Sequence, residues 1–94
     1  MNTYFRAEWK IPDEEGPKIT WIELDNEFYD VRKIEKFKNG DVFIANKDIG
    51  NEETNTCLSE KPYPSIAEMS SDNIEVNQIS KDEFDEIWFQ YYIR

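Results

Sequence analysis

Carboxylates carry nearly all the ionisable chemistry of this chain. Asp and Glu number 21 against 11 Lys and Arg, with a single Cys and no His. Paired acids can serve as the acid and base of glycoside hydrolysis. Glu14 with Glu15, and Asp82 with Glu86, have spacings that permit the idea. A chain of 94 residues has little room for a substrate cleft between them, and exposed acids are ordinarily solvated surface groups. The absence of His removes the commonest general base and the commonest metal ligand. Cys57 has no His to activate it as a nucleophile. The stretch from Asp48 to Ser59 has the outline of a calcium loop, but Gly50 falls at a ligand position and Glu53 falls where the loop needs glycine. The three glycines are scattered, so no phosphate-cradling loop is present. No catalytic residue, cofactor or metal is expected, and the chain is not read as an enzyme.

What the carboxylates can do is generate a field. The formal net charge is -10. The first 47 residues hold 10 acids and 8 bases, and the last 47 hold 11 acids and 3 bases. A one-signed field steers a basic partner and repels nucleic acid and anionic membrane. The candidate partner-binding residues are therefore Asp82, Asp85, Glu86 and Phe89 near the C-terminus, with Asp48, Glu52 and Glu53 in a polar loop. Asp13, Glu14 and Glu15 add to the same field.

These residues need elements to position them. Residues 4 to 11 alternate, with Phe5, Ala7, Trp9 and Ile11 on one face of a strand and Tyr4, Arg6, Glu8 and Lys10 on the other. A turn-rich acidic loop covers Pro12 to Pro17. Residues 18 to 25 read as a second strand, and Asp25-Asn26 suits a turn. Residues 28 to 38 and 41 to 47 flank Asn39-Gly40, the signal for a hairpin with a type I′ turn. In the first arm Val31, Ile34 and Phe37 recur every third residue, and a β-bulge near Arg32-Lys33 would give them a common face. Arg32, Lys33, Lys36 and Lys38 are read as the exposed side of this strand, blunting a sheet edge.

Residues 48 to 64 are polar and irregular. Ser65–Glu68 and Ser80–Glu83 both have capping-box spacing. They predict a short helix ending near Ser71 and a second helix from Lys81 to about Tyr92. Residues Ile74 to Ile79 read as an extended edge segment between them. On the second helix Phe84, Ile87, Trp88 and Tyr91 share a face that should pack on the sheet, leaving Asp82, Asp85, Glu86, Phe89 and Ile93 opposite. The expected fold is one α+β domain over residues 1–94: an antiparallel sheet of about four strands, the C-terminal helix on one face and a short second helix. One Cys and no secretory signal at the start make the cytoplasm the expected compartment, and no apolar run approaches the ~20 residues that span a bilayer.

The blocks Ala7-Glu8-Trp9, Tyr29 to Phe37 running into Asn39-Gly40, Pro62-Tyr63-Pro64-Ser65-Ile66 and Ile79 to Trp88 resemble, in that order, a family of small uncharacterised bacterial domains. Acidic members of that family resemble immunity proteins of bacterial toxin systems. The resemblance implies a cytoplasmic immunity protein that binds a cognate toxin domain, a basic nuclease by the charge argument, and occludes its active site. The alternative is an acidic adaptor or DNA mimic directed at a basic nucleic-acid-binding host protein.

Overall fold

The computed structural model describes residues 2–11, 16–46, 62–64 and 66–92. Five strands form one antiparallel sheet: β1 (Thr3–Trp9), β2 (Pro17–Leu24), β3 (Asp30–Phe37), β4 (Val42–Asn46) and β5 (Ile74–Ile79), in the order β4-β3-β2-β1-β5. Two helices accompany them, α1 (Ile66–Met69) and α2 (Lys81–Tyr92). The α+β class is as expected from the sequence. The strand count is not, because the extended piece Ile74–Ile79 pairs with β1 from Tyr4↔Ile79 to Trp9↔Ile74 and becomes an edge of the sheet. The short second helix is a single turn.

Sheet order also corrects the reading of β3. It lies between β2 and β4, so its basic residues blunt no edge. The bulge falls one residue earlier than expected. Glu23 pairs with Arg32 and Leu24 with Asp30, which leaves Val31 as the extra residue. It does not gather the apolar residues of β3 onto one face. Ile34 stands under α2, while Phe37 meets Phe43 edge-on at 5.6 Å between ring centroids. Alternation puts those two on opposite faces, and β3 is apolar on both because both faces are used.

One face is covered by α2. Tyr4, Trp21 and Ile34 pack there with Phe84 and Trp88, joined by Ile19, Val42, Ile44, Ile79, Ile87 and Tyr91. The other face carries Phe5, Ala7, Ile22 and Leu24, partly covered by Tyr63 and Met69.

The two hairpins share one loop geometry. After β3, the Gly40 N–H donates to the Phe37 carbonyl (2.9 Å) and the Phe37 N–H donates to the Asp41 carbonyl (2.8 Å). Between β2 and β3, the Phe28 N–H donates to the Asp25 carbonyl (3.0 Å) and the Asp25 N–H donates to the Tyr29 carbonyl (2.9 Å). In each, a tight turn ends on one residue at positive φ, Gly40 at 95° and Phe28 at 67°. Asn39 is not at positive φ, so the loop is a type I turn closed by a left-handed residue, not the expected type I′. Phe28 occupies the place that Gly40 holds in the other hairpin.

Candidate functional site

Four of the seven candidate partner-binding residues, Asp82, Asp85, Glu86 and Phe89, lie on α2. Its start is fixed by Ser80, whose Oγ accepts a hydrogen bond from the Glu83 N–H (3.1 Å), while its carbonyl accepts the Phe84 N–H (3.1 Å). The other capping box begins at Ser65, which lies outside the described residues, as do Asp13, Glu14, Glu15, Asp48, Glu52, Glu53 and Ile93.

The inner face of α2 follows the sequence reading. Phe84 is fully buried and Trp88 is 4% exposed. Phe84 meets Tyr4 with ring centroids 5.4 Å apart and stacks on Trp88 at 6.5 Å. Those stacked rings receive a cation, the Arg32 guanidinium, at 4.8 Å from Phe84 and 5.3 Å from Trp88.

Arg32 is the centre of a clasp between sheet and helix. Its Nε donates to Glu23 Oε1 and its Nη2 donates to Asp85 Oδ1 (2.7 Å). Glu23 also accepts the Tyr4 hydroxyl (2.9 Å) and the Asn2 amide (2.8 Å) on Oε2. Lys81 Nζ donates to Asp85 Oδ2 (2.6 Å). Two acids and two bases thus cancel. Burial pushes the Glu23 carboxyl up, but the hydrogen bonds from Asn2, Arg32 and Tyr4 outweigh it and hold the group below its ordinary value. The hydrogen bond from Lys81, then that from Arg32, holds Asp85 low. Burial, reinforced by the Glu23 carboxylate, raises the Tyr4 hydroxyl.

The structure therefore separates the four expected residues of α2. Asp85 is half-buried and occupied in the clasp, so it adds little free charge to the outer face. Asp82, Glu86 and Phe89 remain exposed, and Phe89 is 51% accessible. Their spacing of four and three residues aligns them along one face of the helix. Tyr92, 48% exposed, continues the stripe three residues on and stacks on Trp88 at 5.6 Å. The sequence reading passed over Tyr92, although its helical spacing from Phe89 was available. The result is two acids followed by two aromatic rings on a helix anchored by its buried face.

The structure also contains a concavity that the sequence reading did not anticipate, on the sheet face away from α2. No group of three or more metal-ligating side chains occurs among the described residues. No helix among them is long and apolar enough to cross a membrane.

Comparison with curated proteins gives no match, and comparison with solved structures gives none. One family model does match, over residues 3–93, and it spans every strand and both helices described above. The chain belongs to that family, a domain of unknown function, DUF6881.

Proposed function

We propose that this domain is a binding module for a basic protein, and that its outer α2 face is the docking surface. The observation that carries the reading is the pair of exposed rings, Phe89 and Tyr92, in line with Asp82 and Glu86. Protein interfaces use aromatic anchors for affinity and surrounding charges for steering. The chain's net charge of -10 specifies a basic partner. Together with the resemblance to immunity proteins, this points to the cytoplasmic neutralisation of a toxin domain with a cationic active site, such as a nuclease. The acids would occupy positions that substrate phosphates otherwise take. The adaptor or DNA-mimic alternative needs only charge, so two exposed rings continuing the acidic stripe favour the selective protein–protein reading.

Co-expression of the domain with the toxin encoded by an adjacent gene tests this. The expected result is survival of the cells and a stable complex, both lost in a Phe89→Ala, Tyr92→Ala double variant. Survival with the double variant equal to that with the parent chain would contradict the docking surface.

A further inference from the structure

The sheet face opposite α2 carries a built cavity of about 340 Å³, at the lower end of the size range of small-molecule sites. The register explains why it exists. Glu35 pairs with Thr20, Thr20 with Ala7, and Ala7 with Val76, so one row across four strands holds two small side chains at its middle. The row on one side is Lys33, Ile22 and Phe5, and Trp9 and Ile74 lie on the other. Tyr63 and Met69 also line the space, so a trough is left over Ala7 and Thr20. At ~4.8 Å between strands it runs about 14 Å from Val76 to Glu35.

The walls are mainly apolar, and the polar groups on them are unequal. Lys33 lies 3.7 Å from the fully buried Asp30 carboxylate, which also accepts the Tyr63 hydroxyl (3.2 Å). That pair cancels its own charge. Glu35 is half-buried and makes no hydrogen bond or ion pair with any described residue. Thr20 is 4% exposed and lies on the floor of the trough. A half-buried carboxylate without a partner among the described residues, at the end of an apolar trough, calls for a cation carried on an apolar body.

We infer that this trough is a binding site for a small amphipathic organic cation, with an alkyl or aryl body over Ala7 and Thr20 and an ammonium group against Glu35. The site lies on the opposite face of the sheet from α2 and stands apart from the docking surface proposed above. Trp9, Phe5 and Tyr63 line the trough and supply apolar wall for the body of the ligand.

The test is a titration of the whole chain with n-hexylamine, charged at neutral pH as a lysine side chain is, followed by backbone amide NMR. Sodium hexanoate is the matched probe of opposite charge. The expected result is saturable shifts at Ala7, Thr20, Glu35 and Val76 with hexylamine, and binding of hexanoate weaker by about tenfold or more. Glu35→Gln should erase that difference while leaving the fold intact. Thr20→Leu should fill the trough and abolish the shifts, and Ala7→Val, a smaller addition to the same floor, should weaken them where leucine overpacks the sheet. Three results would overturn the site: hexanoate binding as tightly as hexylamine, no saturable shift in the trough, or shifts spread over Asp82, Glu86 and other exposed acids, which is bulk charge pairing only.

Discussion

Two side chains show how single residues set this structure. Phe28 sits at φ 67°, where the matching hairpin has Gly40. A bulky residue there costs about 1–2 kcal/mol in backbone strain, and its ring is 49% exposed, so little packing offsets it. Phe28→Gly should leave stability unchanged or raise it by up to about 1 kcal/mol, after the greater freedom of glycine in the unfolded chain is counted. Urea unfolding checks this, and a loss above about 1 kcal/mol would mean that the ring holds the loop. Glu23 makes the opposite case, a buried acid that receives three donors. Its folded value, and that of Asp85, are lowered. The stabilisation they give is present above the ordinary carboxylate range near pH ~4 and is lost as pH falls through the folded values. Protonation of the other acids relieves self-repulsion over the same range, so the comparison must be with a variant. Glu23→Gln should cost about 1–3 kcal/mol at neutral pH, and the gap to the parent chain should close as pH falls below the ordinary carboxylate range and through the lowered folded value. A gap constant with pH would place the worth of Glu23 in packing alone.

At the scale of elements, α2 was the most legible part of the chain. Its Ser80 cap, its limits and its buried face all follow from a local 3.6-residue pattern, which needs no knowledge of distant strands. The strands were legible as segments, and their partners were not. Ile74–Ile79 reads as an extended edge segment, but that it pairs with β1 as a fifth strand depends on β1 lying open to it. The bulge at Val31 and the central place of β3 likewise depend on register, a long-range property. Asp85 fell on the outer face by helical arithmetic, yet an arginine 53 residues earlier draws it into the clasp. The two faces of α2 predict different mutational costs. Phe84→Ala should remove about 3–5 kcal/mol, a large share of the stability of a domain this size. Phe89→Ala should fall within about 0.5 kcal/mol of the parent chain. Thermal unfolding of the two variants side by side distinguishes a buried face from an open one, and equal losses would contradict the orientation of the helix.

At the scale of the whole molecule, the sheet uses both faces. One is sealed by α2 and stitched by a charge-neutral clasp, and the other is only partly covered by the described residues, which leave the trough over Ala7 and Thr20. The excess of negative charge was plain in the composition. What the sequence left hidden was which acids are free. The clasp removes Glu23 and Asp85 from the external field and leaves Asp82 and Glu86 beside two exposed rings. The trough was hidden for the same reason as the sheet order, since Ala7, Thr20 and Glu35 become neighbours only in the folded register. The central claim is that the outer α2 face docks a basic protein, and its most direct test is the affinity for the co-expressed toxin partner, measured at low and at high salt. Phe89→Ala should weaken binding by about 30-fold or more at both, corresponding to ~2 kcal/mol, with the melting temperature unchanged. Asp82→Lys with Glu86→Lys should slow association and flatten its salt dependence. Wild-type affinity and wild-type salt dependence in both variants would contradict the claim.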